Sequence, residues 1–447
     1  MSSVTLAIII AFLVGYLCIA LESVIKVNKA AIALFMMAVC WTLFMVNPGE
    51  YLTIPEGMSQ HLAVTKMLEH HLGSAATTLF FLMGAMTIVE VVDQNGGFNF
   101  VRKALRTTSK RALLWRVAFL TFFLSAILDN LTTTIVMIML LRKLIQSRDE
   151  RMIYAGTVII AANSGGAFSP IGDVTTIMLW NQGLITALGV IRELFLPSLL
   201  SLLIPLFIIQ RMLHGNLADT KVIDEDVAED ELTSRQRRTV FALGVGGLIF
   251  VPIFRYLTDL PPFLGILLVL SVLWLTTEIF YTHLKRKRSI RSWHNRVSQL
   301  LSHIDMTTIL FFLGILMSVS CLEQIGILNT TGVWLNDVSG GNHYMVTGSI
   351  GILSSIVDNV PLVAGCMGMY PVAAVGDMAV DGIFWQLLAY CAGVGGSILI
   401  IGSAAGVVVM GFENISFGWY MRRFSWIALV GFFAGMLYYW FELTILR

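Results

Sequence analysis

A succession of apolar runs, most of them about 20 residues long, limits what this chain can fold into. A run of that length crosses a hydrocarbon core of about 30 Å as an α-helix, the simplest element that satisfies its own backbone polar groups in lipid. Read against the charged breaks, the runs fall at 4–21, 30–46, 76–92, 112–141, 152–185, 190–210, 239–257, 262–282, 305–324, 347–370, 384–414 and 424–446. Only 13% of the 447 residues are charged, against about 25% in ordinary soluble chains. Too few charges remain to cover a soluble surface. An all-α polytopic membrane protein is expected.

Several classes of function are excluded by the same sequence. A net charge of +1 gives no reason to expect a nucleic-acid partner. No Walker-type phosphate loop occurs, so no nucleotide is expected. Cys18, Cys40, Cys321, Cys366 and Cys391 lie far apart in apolar stretches without a CxxC pair, and read as small buried hydrophobes. All eight histidines fall in loops or at segment ends by this reading, which argues against a buried haem or His-ligated metal. No cofactor is expected. The start, Met1-Ser2-Ser3-Val4, lacks the basic region of a cleaved signal, so the first run is expected to remain as a span.

Loop charge orients the spans, because Lys and Arg accumulate on the cytoplasmic side. Arg102, Lys103, Arg106, Lys110 and Arg111 precede segment 112–141, and Arg142, Lys143, Arg148 and Arg151 follow it. Both flanks read as inside. That segment therefore enters and leaves on one face as a re-entrant hairpin, with Leu128-Asp129-Asn130-Leu131 near its tip. The connections 323–346 and 371–383 hold Glu323, Asp337, Asp377 and Asp381 but no Lys or Arg. They read as outside and make 347–370 a second hairpin from the other face, centred near Val357-Asp358-Asn359-Val360.

The polar stretch 214–238 is acidic over 224–231, then basic at Arg235, Arg237 and Arg238, and reads as a cytoplasmic linker. The basic stretch 283–303, with Arg291 and Arg296, is also read as inside. The linker separates a first repeat, 1–213 (hairpin 112–141, broken helix 152–185), from a second, 239–447 (hairpin 347–370, broken helix 384–414). Each has five transmembrane segments plus one re-entrant helical hairpin. Five is odd, so the two repeats are inverted and both termini are expected outside.

Self-similarity at an offset of about 230 residues supports the duplication. Asp93-Gln94-Asn95-Gly96 aligns with Glu323-Gln324-Ile325-Gly326, and Ser125-Ala126-Ile127-Leu128-Asp129-Asn130 with Ser354-Ser355-Ile356-Val357-Asp358-Asn359, one residue out of phase. Gly165-Gly166 aligns with Gly395-Gly396, and Gly172 with Gly402. Four weak matches in the same order are far stronger together than any one alone. Inverted repeats with interrupted helices place their sites near the bilayer midplane.

The interruptions carry the chemistry. Segment 152–185 contains Asn163-Ser164-Gly165-Gly166-Ala167-Phe168-Ser169-Pro170-Ile171-Gly172-Asp173, and its counterpart runs from Gly393 through Ser397 to Ser403. Breaks of this kind must face protein or a watery cavity. Their freed carbonyls, with the Asn163, Ser164 and Ser397 oxygens, suit an alkali cation. Asp129, Asp173 and Asp358 lie inside apolar segments, each in or beside a break. A charge at the membrane centre costs about 2.5–3.5 kcal/mol even on mild scales, so these carboxylates are expected to face an interior site. No Lys or Arg sits in the apolar cores, so protons or a bound cation are expected to balance them. Alternation between those two states is what a cation/proton exchanger requires. The blander alternative is a protonated Asp capping a half-helix. Thr175 and Thr176 either add hydroxyl ligands or cap backbone, while Glu90, Glu278 and Glu413 are expected at interfaces or helix ends.

At SAILDNLTTT (125–134), NSGGAFSPIGDVTTIML (163–179) and SSIVDNVPL (354–362) the chain resembles the NhaD-type Na+/H+ antiporters. These belong to an ion transporter superfamily that also includes divalent-anion and arsenite carriers. The resemblance runs from the first span to the last. It implies export of Na+ or Li+ coupled to proton entry across a bacterial inner membrane, by alternating access, in a homodimer of scaffold and transport domains. In sodium-binding members the tips carry a Ser-Asn-Thr pattern with a further serine five residues before the Asn. Ser125, Asp129 and Asn130 match the first tip, and Ser354, Asp358 and Asn359 the second, with Asp in place of the first Ser. The resemblance thus implies Na+ at Asp129, Asn130, Asp358 and Asn359, with Asp173 taking part in proton exchange. Pro361 replaces the Thr of the second tip, so the tips need not be equivalent.

Other readings are weaker. A carrier for arsenite or a carboxylate anion is the alternative within the superfamily. Intramembrane aspartyl proteases use GxGD, where this chain has Pro170-Ile171-Gly172-Asp173. A gated cation channel would require currents beyond carrier turnover.

Overall fold

The computed structural model describes residues 2–20, 25–52, 58–97, 104–105, 107–213, 215–216, 232–288, 300–301, 304–356 and 358–446. The expectations for Arg102, Lys103, Arg106, the acidic run 224–231, Arg291, Arg296 and Val357 lie outside the described residues. The protein is all-α. Among the described residues, seven helices are long and apolar enough to cross a membrane, with shorter apolar helices between them.

The first half runs α1 (Ser3–Ala20), α2 (Lys29–Phe44), α3 (Gln60–Gln94), the hairpin α4 (Lys110–Leu128) and α5 (Asn130–Leu144), the broken helix α6 (Arg148–Ala167) and α7 (Val174–Asn181), and α8 (Ala187–Ile209). The second half repeats this order: α9 (Ser234–Thr258), α10 (Pro262–Arg288), α11 (Met306–Gln324), an extra helix α12 (Ile327–Ser339), the hairpin α13 (His343–Ser354) and α14 (Asn359–Met369), and the broken helix α15 (Ile383–Gly395) and α16 (Ala404–Glu413). A short turn and a π-helical turn at Met421–Ser425 then lead into α17 (Trp426–Phe441).

Two elements differ from the sequence expectation. The third span extends back to Gln60 because Ser59 caps it, its side chain accepting from the Leu62 N–H at 3.3 Å. His61, His70 and His71 therefore lie within a helix rather than in a loop. Hydropathy hid this stretch, because Lys66, Glu69 and the histidines interrupt the apolar run. The acidic connection 323–346 holds α12, bounded by Gly326 and Gly340 in the left-handed conformation. Its apolar residues line one face only, so no spanning run announces it.

Each break ends on a residue that caps the next helix. Asp129 accepts from Thr132 N–H, Asp173 from Thr175 N–H, Asp358 from Val360 N–H, and Ser403 from Gly406 N–H. Short polar side chains satisfy orphan amides at helix starts, which is why these residue types stand at the breaks.

The packing is reciprocal. Helix α2 lies on α11 and α10 on α3; α5 packs on α16 and α14 on α7. The Ser125 hydroxyl donates to the Ala162 carbonyl at 2.6 Å, and the equivalent Ser354 hydroxyl to Ala392 at 2.8 Å. A Cβ on Gly165 would strike the Phe122 carbonyl, and one on Gly395 the Gly351 carbonyl. Hairpin and broken helix are thus joined by the same contacts in both halves.

Two acidic clamps tie the second broken helix to the first half of the chain. Glu413, at the end of α16, is buried and pairs with Arg142 at 3.1 Å and Arg151 at 2.7 Å from α5 and α6. Asp381, just before α15, accepts from Thr186 N–H at 2.7 Å and Thr186 Oγ1 at 2.6 Å, the residue that caps α8. Cys40, Cys321, Cys366 and Cys391 are buried, Cys18 is half-buried, and all five are free thiols.

Candidate cation-binding site

Asp173 is the point on which the interruptions converge. It opens α7 and is 1% exposed. From the first tip, Asn130 Nδ2 donates to Asp173 Oδ2 at 3.0 Å; from the second, Asn359 Nδ2 approaches both carboxylate oxygens at 3.3 and 3.4 Å. Thr175 adds its N–H at 3.0 Å and its hydroxyl at 3.1 Å, both to Oδ1. Neutral donors from both tips and from its own helix thus surround the carboxylate.

Asn163 extends this network to the second break. Its Oδ1 accepts from Asn130 Nδ2 at 3.1 Å, while its Nδ2 donates to Ser397 Oγ at 3.1 Å and Ser403 Oγ at 2.9 Å. Both hairpin tips and both broken helices therefore meet through one chain of hydrogen bonds. The tip asparagines donate through nitrogen, and among the described residues their amide oxygens accept no hydrogen bond. Amide and carboxylate oxygens are hard donors, the type alkali cations take.

The other expected residues are placed less centrally. Asp129 and Asp358 lie within electrostatic reach of Asp173, but their side chains bond elsewhere. Asp129 accepts from Thr132 N–H at 2.8 Å and Thr132 Oγ1 at 2.9 Å. Its backbone, at φ 81° and ψ 161°, occupies a region that is essentially reserved for glycine. Ser125 and Ser354 brace the hairpins, as described. Ser164 accepts from Ser201 Oγ at 2.8 Å, and Thr176 Oγ1 donates to the Asp173 carbonyl at 2.8 Å. These four hydroxyls support the site from behind. Ser403, noted in the sequence only as the neutral counterpart of Asp173, joins the network directly.

One expectation is overturned. Asp358 does have a countercharge: Lys29 Nζ lies 2.8 Å from its Oδ2. The sequence places Lys29 at the edge of an apolar run, outside any core. Only the packing of α2 on α11 carries its long side chain to the second tip. Asp129 and Asp173 have no such ion pair among the described residues.

Two helical hairpins and two broken helices meeting at a buried carboxylate are the architecture of a secondary transporter. Residues 16–388 match the citrate transporter family. The chain is 44% identical to sodium/proton antiporter 1 of Arabidopsis thaliana, over 97% of this chain and 72% of that one. It is 41% identical to sodium/proton antiporter 2 of the same plant, over 96% and 97% of the two chains. Against the Na+/H+ antiporter NhaD of Vibrio cholerae, identity is 28% over 98% of this chain and 91% of that one. The chain belongs to the citrate transporter family, on its branch of NhaD-type sodium/proton antiporters. The crystal structure of the Alcanivorax borkumensis YdaH transporter shares the fold, with a TM-score of 0.60 and 15% identity over 93% of this chain and 98% of that one. The protein is a multi-pass membrane transporter, not an enzyme.

Proposed function

We propose that the chain is a secondary active antiporter that exports Na+, or Li+, in exchange for protons, with Asp173 as the central carboxylate. The convergence of Asn130 and Asn359 on Asp173, with Asn163 linked to it through Asn130, carries this proposal. A carboxylate held by neutral donors alternates between a bound cation and a bound proton. Asp129, within reach of Asp173, is the second group in that exchange, and the tip asparagine oxygens replace part of the cation's hydration shell. Ser397, Ser403 and Thr175 hold the framework. Alternating access follows when the joined tips and broken helices shift between the two faces.

The anion-carrier alternative is disfavoured by charge. An arsenite or carboxylate substrate at this site would lie beside Asp173 and Asp129, and the Lys29 ammonium at the second tip is already paired with Asp358. The family's description names citrate, but the chain's own site presents acceptors and carboxylates. Everted vesicles containing the protein, energised to an acidic interior, should lose ΔpH on addition of Na+ or Li+ and much less on addition of K+. Uptake of labelled arsenite or citrate with no cation-dependent loss of ΔpH would overturn the assignment.

We further infer a bacterial inner (plasma) membrane with both termini outside, inverted repeats at 1–213 and 239–447, and a homodimer. Loop charge supports the orientation, and reciprocal packing supports the repeats. Reporter fusions at the two ends and light scattering of the detergent-solubilised protein test orientation and dimerisation.

A further inference from the structure

Lys29 opens α2, where a lysine at the edge of an apolar run ordinarily extends to the interface. Here its ammonium turns inward instead, to Asp358 Oδ2 at 2.8 Å and to within 4.3 Å of the Phe311 ring centroid on α11. The two side chains are only 27% and 17% exposed. Tyr16 on α1 lies within electrostatic reach of Asp358, and its buried hydroxyl has no hydrogen-bond partner among the described residues. Asp173, at the start of α7, lies within the same reach.

The first tip is built differently. The counterpart of α2 is α10, which opens at Pro262 with the apolar run PFLGILL (262–268) where α2 opens on Lys29. Asp129 is held instead by donors of its own helix, Leu131 and Thr132. One tip thus carries a tethered positive charge where the other presents a carboxylate to whatever cation arrives.

We propose that Lys29 is a tethered cation occupying the cation position of the second tip, so that Na+ must displace it to reach Asp358. Its return to Asp358 helps to expel the ion. This rests on the antiport assignment above and specifies how the two tips divide the work. Helix α2 packs on α1 and α11, whereas Asp358 caps the inner helix of a hairpin, so making and breaking the pair also reports the position of the tip against its bracing helices.

The test uses the purified full-length protein: equilibrium binding of radioactive Na+ in detergent, and Na+/H+ exchange in proteoliposomes. Lys29→Gln should tighten Na+ binding about threefold to tenfold, as expected for removal of a partly screened competitor. It should also lower the maximal exchange rate as release slows, giving a split between KM and kcat. Lys29→Arg should restore the Na+ affinity to within about twofold of the parent, because it restores the competing charge. In an Asp358→Asn background, Lys29→Gln should leave Na+ binding unchanged. An unaltered affinity in Lys29→Gln, or the same tightening without the Asp358 carboxylate, overturns the proposal. Should Lys29→Gln fail to fold, the parent protein decides: amine-selective labelling of Lys29 should be faster in Na+ than in choline, and equal rates overturn it. A parent that exchanges no Na+ for protons would instead refute the antiport assignment, so the two failures are distinguishable.

Discussion

Asp129 holds a backbone conformation that costs a non-glycine residue about 1–3 kcal/mol. The strain stands at the tip of a hairpin, where the carboxylate is needed and glycine would supply none. Asp129→Gly should therefore unfold in detergent at no lower temperature than the parent, while ΔpH dissipation by Na+ is lost. Transport at parental rates in that variant would remove Asp129 from the exchange. Asp173→Asn probes the central position. The amide keeps the shape but turns a nitrogen toward the Asn130 and Asn359 donors, and it cannot take up a proton in exchange for a cation. Exchange in everted vesicles should fall to the background of vesicles without the protein. All three aspartates were legible in the sequence, because a carboxylate in an apolar segment is costly unless it serves an interior site. Their ranking was not legible. Asp173, which lacks an acidic partner in the repeat, accepts from both tips, and Asp358 is already paired.

At the scale of elements, the hairpins and broken helices depend on glycines that let backbones touch. A methyl group on Gly165 or Gly395 would meet a carbonyl oxygen of the neighbouring hairpin helix. Gly165→Ala and Gly395→Ala should each destabilise the protein by about 1–3 kcal/mol, read as a drop in thermal unfolding temperature in detergent. Gly411, in α16, has open space around the position of a Cβ. Gly411→Ala should be neutral or stabilising by about 0.5–1 kcal/mol. Equal effects at all three positions would contradict the close-contact assignment. The two broken helices are legible in glycine density, and the hairpins in the charge of their flanks. The ends of α3 and the existence of α12 are not, since capping and one-sided burial set them rather than a long apolar run.

Across the whole molecule, the two acidic clamps tie the second broken helix to the first half of the chain. Glu413 joins the end of α16 to the start of α6, and Asp381 joins the start of α15 to the start of α8. The expectation of a helix-end position for Glu413 holds, and the structure adds two arginines around it. Glu413→Gln leaves Arg142 and Arg151 without their buried countercharge and should cost about 3 kcal/mol of stability. Asp381→Asn keeps an acceptor for the Thr186 N–H and should cost about 1 kcal/mol. Thermal unfolding of the two variants side by side checks the order, and a reversed order would show that the clamps are not as the geometry describes them. Hydropathy, glycine density and the cost of buried charge act along short stretches of chain. By themselves they point to the spans, the breaks, a duplication and the three aspartates. Asn359 is 186 residues from Asp173, and Lys29 is 329 residues from Asp358. No local signal encodes a pairing at such separations, so only the packing of the two repeats decided which carboxylate stands at the centre and which one holds a lysine.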